Sequence, residues 1–169
     1  STIDEATEYR DLLVGSDMLG STDQVLLVTS EEPDATLALL DRLEDPDSPI
    51  RAVVSWSGPM DFLSLAPAAG TNAGGSFRTF LGCLPDACPD TYAAASPVTH
   101  VDKTDSPMLI VNSTNELVPQ SQADAMKAAL DKAGVANQAI ILPGSAHSRA
   151  YSNQVWDQTV TFLENYLKK

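Results

Sequence analysis

Short and almost wholly apolar segments alternate along the chain with segments of helical periodicity, and this alternation constrains the fold most. Strands that are buried on both faces have such continuous apolar runs. We predict strands at residues 24–30, 50–56, 108–111 and 138–142. We predict helices at residues 3–19, 31–44, 120–132 and 155–167. Because no hairpin signal joins any two strands, the pattern predicts an α/β fold: a parallel sheet of about four strands with helices on both faces, a three-layer sandwich.

Length and composition indicate one globular domain over residues 1–169. Hydrophobic residues make up 43% of the chain and charged residues 20%, as is usual for globular proteins. No apolar run approaches the roughly 18 residues of a membrane-spanning helix. The 10 basic and 23 acidic residues give a net charge of −13, which disfavours contact with nucleic-acid phosphates or anionic lipids. We therefore expect neither nucleic acid nor membrane as a partner.

Residues 63–97, between the second and third predicted strands, are rich in Ala, Gly, Pro and Thr. This composition is typical of loops and short helices that run over the edge of a sheet. Cys83 and Cys88 lie five residues apart in this segment, near Pro85 and Pro89. A loop this short can bring the two sulfurs together, but two unrelated buried thiols would show the same pattern. The spacing does not match a zinc site, which needs further Cys or His ligands.

Side chains suited to nucleophilic catalysis follow three of the predicted strands. Ser30 follows the first, Asn115 and Glu116 follow the third, and His147 follows the fourth. The carboxyl ends of parallel strands meet at one edge of a sheet, where sites in such folds lie. A hydroxyl becomes a good nucleophile when an imidazole accepts its proton and a third group orients that imidazole. These residues therefore predict a nucleophile, an acid and a base, in that chain order.

Four segments carry a resemblance to a known family: residues 51–61, 80–101, 108–119 and 142–147. In them the chain resembles the esterase and lipase branch of the α/β-hydrolase fold, over the later half of such an enzyme. The resemblance implies a serine hydrolase of the carboxylesterase kind that acts on small-molecule carboxylic esters, with no metal or organic cofactor. Ser30 would attack the ester and His147 would relay protons. Glu116 or Asn115 would orient His147; Asn115 stands at the family's usual Asp position, and Glu116 one residue along.

The segment around Ser30 departs from the family's Gly-x-Ser-x-Gly elbow, because Val28 and Glu32 stand where the glycines belong. The carboxylates of Glu31 and Glu32 would also oppose the oxyanion that forms in acyl transfer. These departures favour an alternative, a degenerate hydrolase-fold module without catalysis that serves in binding or as one half of an assembly. They also disfavour a flavodoxin-like phosphate-binding domain, since the two carboxylates would repel an anion.

Each candidate also has a structural interpretation. Ser30 can cap the helix that follows it, Glu116 can be a solvated loop charge, and Asn115 can be a turn residue. His100 is expected at the surface or at a cap, and Trp56 and Trp156 in the packed interior.

The resemblance to secreted esterases further implies a Cys83–Cys88 disulfide and an extracellular location, because disulfides persist in oxidising compartments. The first residues lack the basic and apolar pattern of a signal peptide. If the strands that precede residues 24–30 in complete hydrolases are absent, residues 25–28 form an exposed apolar edge. We therefore expect a partner along that strand, either a second copy of the chain or a missing N-terminal half.

Overall fold

The structure, a computed structural model, describes the backbone of residues 24–29, 50–68 and 77–167 and the side chains of residues 50–65 and 77–166. Within these residues one sheet is formed by β1 (Gln24–Thr29), β2 (Ile50–Trp56), β3 (Met108–Ser113) and β4 (Asn137–Leu142). The strands lie in the order β1-β2-β3-β4, and each pairs in parallel with the next. Their carboxyl ends therefore meet at one edge.

The helices of the described residues follow the strands. They are α1 (Phe62–Ala68), α2 (Pro89–Ala94), α3 (Gln120–Ala133) and α4 (Ser152–Leu167), with 3-10 turns at Pro97–Thr99 and Ser148–Tyr151. Residues 77–81 are also helical. The helices predicted at residues 3–19 and 31–44, and Ser30 itself, lie outside the described residues.

Alternate side chains of β2 enter two separate cores, one on each face of the sheet. Val53 packs in a core of aliphatic and methionine side chains with Met126 and Leu130 of α3. Trp56 packs on the other face with Val155 and other apolar side chains of α4. The successive residues of a strand point to opposite faces, so a continuous apolar run fills both cores. Helices on both faces of a parallel sheet confirm the predicted α/β class.

β3 runs two residues beyond its apolar segment, to Ser113. Asn112 is buried there, and its Nδ2 donates to the carbonyl oxygens of Ser113 and Val118, each at 3.0 Å. Ser113 is equally buried. Hydrogen bonding offsets the cost of burying these polar groups, which is why a search for apolar runs ends the strand too early.

The segment between β2 and β3 is held together by a small core and a disulfide. Cys83 and Cys88 are joined, with their Cα atoms 6.3 Å apart. The Tyr92 hydroxyl donates to the Cys83 carbonyl at 3.0 Å, and its ring packs with Phe62. The disulfide expected from the family resemblance is thus confirmed. Among the helices that the structure describes, none has both the length and the apolar character needed to cross a bilayer.

Candidate active site

Glu116 and His147, which follow β3 and β4, meet at the carboxyl edge of the sheet. Glu116 Oε2 accepts a hydrogen bond from His147 Nδ1. The Glu116 side chain is fully buried, whereas the His147 side chain is 22% exposed. The other oxygen, Glu116 Oε1, accepts the Ser113 N–H at 2.6 Å. Both carboxylate oxygens are therefore occupied, and the carboxylate is fixed in the position that orients the imidazole.

The backbone around His147 is held on both sides. On one side the Ala146 carbonyl accepts a hydrogen bond from Ser113 Oγ at 2.6 Å. On the other side the Ser148 N–H donates to Ser57 Oγ at 2.9 Å. Since Ser57 directly follows β2 and Ser113 ends β3, the sheet itself supports the turn that carries His147.

Asn115 and Glu116 are neighbours in the chain but have different surroundings. Asn115 is exposed, and its backbone N–H donates to the Gly144 carbonyl at 2.9 Å. It therefore ties the loop after β3 to the loop after β4, while the Glu116 side chain turns inward to His147. A counter-charge for an imidazolium comes from the buried carboxylate, which a neutral amide could not provide.

Ser57 and Tyr151 are residues of this region that the sequence reasoning missed. Ser57 Oγ lies 2.7 Å from the Tyr151 hydroxyl, which donates to the Val111 carbonyl at 3.1 Å. Burial raises the pKa of Tyr151, the hydrogen bond to Ser57 partly opposes this, and the charge of Glu116 raises it further. The only signal in the sequence was the place of Ser57, directly after a predicted strand.

The predicted nucleophile, Ser30, lies outside the described residues. The strand before it ends at Thr29, which pairs in register with Trp56 of β2. β1 thus ends at the same edge of the sheet at which Glu116 and His147 meet. No group of three His, Cys, Asp or Glu side chains within the described ranges is arranged to hold a metal ion.

Three further residues selected from the sequence, Trp56, Trp156 and His100, have structural surroundings. Trp56 is buried and packs edge-on against Trp156, with ring centroids 6.3 Å apart. His100 Nε2 lies 2.7 Å from the Ala94 carbonyl, at the end of a 3-10 turn.

A second polar cluster holds the segment that follows β2. Gln122 of α3 is buried, and its Oε1 accepts the backbone N–H groups of Met60 and Asp61 at 3.0 and 2.7 Å. Its Nε2 donates to Ser64 Oγ at 3.1 Å. We call this cluster the Gln122 clamp, and we call residues 146–148 with Ser57, Ser113 and Glu116 the His147 turn.

A parallel sheet covered on both faces, with a Glu–His pair at the carboxyl ends of its strands, defines a protein of the α/β-hydrolase class. Residues 25–130, more than half of the chain, match the BD-FAE family, which is of the α/β-hydrolase type. The chain therefore belongs to the BD-FAE family.

Solved structures agree with this assignment. A truncated carbohydrate esterase from gut microbiota shares 27% identity at a TM-score of 0.63, over 72% of this chain and 44% of that one. A puromycin-hydrolysing peptidase of Mycobacterium tuberculosis shares 22% identity at a TM-score of 0.74, over 93% of this chain and 24% of that one. An acylaminoacyl peptidase of Pyrococcus horikoshii shares 18% identity at a TM-score of 0.68, over 95% and 27%.

The chain thus spans less than half the length of each of these structures. No curated protein matches it. Family and fold together make it a protein of the α/β-hydrolase fold.

Proposed function

We propose that this protein is a serine hydrolase of the carboxylesterase kind, acting on carboxylic esters of small molecules. The observation that carries the proposal is the buried Glu116 carboxylate bonded to His147 Nδ1. Such a carboxylate holds the imidazole in the tautomer that accepts a proton at Nε2, and it stabilises the imidazolium that then forms. The proposed chemistry needs protein side chains and water, with no metal or organic cofactor.

In the proposed reaction Ser30 Oγ attacks the ester carbonyl while its proton passes to His147 Nε2. His147 then returns that proton to the departing alcohol, which leaves an acyl group on Ser30. Water, activated by His147 in the same way, releases the carboxylic acid and restores the serine. Ser30 enters by its place in the chain, one residue after β1, whose carboxyl end is at the same sheet edge as those of β3 and β4.

The choice of esters over peptides is supported by the similarity to known proteins. The carbohydrate esterase shares 27% identity with this chain, whereas the two peptidases share 22% and 18%. The resemblance of the acid and histidine segments to esterases points in the same direction.

The residues that flank Ser30 favour a second candidate, a hydrolase-fold module that binds without catalysis. Glu31 and Glu32 directly follow Ser30 in the sequence, and carboxylates next to a nucleophile would oppose the oxyanion of acyl transfer. Loss of a single oxyanion donor slows acyl transfer by about 10²–10³-fold in a well-studied protease. We therefore expect slow turnover of short activated esters and little turnover of unactivated ones.

A fluorophosphonate probe, followed by mapping of the adduct, distinguishes the two candidates. We expect slow labelling of Ser30 that is lost in Ser30→Ala and His147→Ala and retained in His100→Ala, the matched control for the other histidine. Hydrolysis of p-nitrophenyl acetate should likewise be lost in Ser30→Ala and His147→Ala and retained in His100→Ala. Adducts on another serine would mean that the nucleophile is wrong, and absence of labelling would favour the binding module.

A partner along β1 is also proposed, either a second copy of the chain or a segment that supplies the preceding strands. Within the described residues β1 pairs with β2 alone, and residues 25–28 are all apolar. An apolar strand edge is normally covered in native proteins. Light scattering that shows a strict soluble monomer at low concentration would contradict this proposal.

An extracellular location is proposed from the Cys83–Cys88 disulfide. Alkylation followed by intact mass measurement should label no thiol before reduction and two thiols after it. Labelling of both thiols without reductant would remove the support for secretion.

A further inference from the structure

Two residues other than glycine have a left-handed backbone in the part of the chain that the structure describes. They are Ser57, at φ 58°, and Ser148, at φ 48°. L-residues with a side chain are disfavoured in this region, and where they occur in it the surrounding structure must hold them there. Both residues are buried, and they are bonded to each other through the Ser148 N–H and Ser57 Oγ, at 2.9 Å. The two unusual conformations therefore belong to one feature, which lies directly beside His147.

The hydrogen bonds of this feature form a chain with a defined direction. The Ser148 N–H donates to Ser57 Oγ, and the Tyr151 hydroxyl donates to the Val111 carbonyl. In the hydrogen bond between Ser57 Oγ and the Tyr151 hydroxyl, Ser57 is then the donor, because the Tyr151 proton is donated to the Val111 carbonyl. Tyr151 takes part as a neutral phenol, in keeping with its raised pKa.

The chain of bonds ends on rigid structure. The Val111 carbonyl accepts both the Tyr151 hydroxyl at 3.1 Å and the Ser57 backbone N–H at 2.8 Å. Tyr151 is fully buried, and its ring lies edge-on to Trp56 with centroids 6.1 Å apart. Ser57 is thus fixed through its backbone and its side chain together, so the hydroxyl that receives the Ser148 N–H has little freedom to move.

We infer that Ser57 and Tyr151 are positioning residues for His147. They hold the residue after His147, while Ser113 holds the carbonyl of the residue before it and Glu116 holds the imidazole. Removal of Ser57 Oγ leaves the imidazole bonded to Glu116, but on a turn in which the Ser148 N–H has lost its acceptor. The catalytic consequence of this inference rests on the proposed function, whereas its effect on the His147 imidazole does not.

Ser55 of β2, two residues before Ser57, provides a matched control. It is as fully buried as Ser57, but its Oγ has no hydrogen-bond partner among the described residues. Ser55→Ala therefore removes a buried serine hydroxyl from β2 without touching the support of His147. The Ser55 and Ser57 variants all lose a buried hydroxyl, but only the Ser57 variants lose a hydrogen-bonded one. A difference between them in the His147 signal therefore reports the hydrogen bond of the hydroxyl and not its burial.

The experiment compares Ser57→Ala, Ser57→Gly, Tyr151→Phe and Ser55→Ala. Glycine adopts positive φ without penalty, so Ser57→Gly removes the hydroxyl while it relieves the backbone, and it remains folded if Ser57→Ala does not. Circular dichroism and thermal melting verify the fold. The imidazole is followed by NMR of ¹⁵N-histidine protein, in which His100 is the internal reference because it is the other histidine of this sequence.

We expect the His147 Nδ1–H signal to be sharp in the parent and in Ser55→Ala, and to broaden and exchange at least about tenfold faster in both Ser57 variants. Tyr151→Phe should change it less, because Ser57 Oγ still receives the Ser148 N–H. The kcat on p-nitrophenyl acetate should fall by about 10–100-fold in the Ser57 variants with little change in KM, as for a misplaced catalytic group.

A folded Ser57→Gly variant with an unchanged His147 signal would overturn the inference, whether or not the protein hydrolyses esters. If the parent is active, a kcat in the folded Ser57 variants equal to that of the parent would overturn the inference as well. If the parent has no activity but its His147 signal responds to Ser57→Gly and not to Ser55→Ala, the positioning role is supported and the proposed hydrolase function fails.

Discussion

The His147 turn and the Gln122 clamp address the same structural problem with different chemistry. Each holds a segment of chain that follows a strand at the carboxyl edge of the sheet, and each does so with buried hydrogen bonds. In the clamp, a neutral amide bonds to two backbone N–H groups and one hydroxyl. In the turn, a buried carboxylate meets an imidazole, and Ser57 and Ser148 have left-handed backbone conformations.

The difference shows what holding a loop requires and what it does not. The clamp shows that a neutral amide is sufficient, with no charge and no unfavourable backbone conformation. A buried charge and backbone strain both reduce stability and tend to occur at functional sites. Of the two clusters, only the His147 turn has a buried charge and backbone strain. This difference is evidence that the turn has a function in addition to holding the loop.

The largest effect is expected from Glu116→Gln, which keeps the size of the side chain and removes its charge. The imidazolium then loses its counter-charge and the tautomer of His147 is no longer fixed. We expect kcat on activated esters to fall by about 10³–10⁴-fold, by analogy with the same change in a serine protease.

Asn115→Asp is the informative companion to that variant. Position 115 is exposed, so a carboxylate there should change kcat little in the parent and should fail to rescue Glu116→Gln. Rescue would show that the loop can turn position 115 towards His147, and that the two positions are interchangeable.

Gln122→Ala should mainly affect stability. It leaves the N–H groups of Met60 and Asp61 without their acceptor, at a cost of about 2–3 kcal/mol in the free energy of unfolding. We expect kcat to change by less than about threefold, since the hydrogen bonds of the clamp join only neutral groups and no catalytic one. Urea denaturation together with ester kinetics tests this, and a loss of activity that matches Glu116→Gln would remove the distinction between the two clusters.

The smallest effect concerns pH. Burial raises the pKa of Tyr151 in the folded state above its ordinary value near 10. At a pH between the unfolded and the folded pKa of Tyr151, the folded protein holds a proton that the unfolded chain has lost. The free energy of unfolding is therefore retained below about pH 10 and falls above it. The slope should be at most about 1.4 kcal/mol per pH unit.

Denaturation at several pH values from 8 upwards measures this slope. Tyr151→Phe should abolish most of it, while Gln122→Ala, which alters a cluster without a titrating phenol, should retain it. Equal slopes in the parent and in Tyr151→Phe would contradict the account of Tyr151 as a neutral donor that supports Ser57.

Local patterns were sufficient to predict much of the fold. β2 was predicted over the residues that form it, and α3 extends one residue past its predicted end, to Ala133. Gly134, which directly follows α3, has φ 77° and donates its N–H to the Leu130 and Asp131 carbonyls. Each of these features depends on neighbours in the chain, because helix ends and buried strands are recognised within a few residues.

The site could be predicted only in part. His147 and Glu116 were both selected from their places after strands, but the sequence did not decide between Glu116 and Asn115. The choice depends on which side chain the loop turns inward, and adjacent residues of a loop look alike in a pattern. Ser57 directly follows a predicted strand but was not selected as a site residue, and Tyr151 was not selected either.

The sequence by itself determined which segments form strands, where α3 stops to within a residue, and that His147 stands after a strand, because each of these depends on contacts within a few residues. Only the tertiary structure decided that Glu116 is the partner of His147 and that Ser57 meets Ser148 and Tyr151. Those contacts join residues 31, 91 and 94 positions apart in the chain. They exist because a parallel sheet brings the ends of distant strands to one edge, and a local pattern of residues contains no record of that proximity.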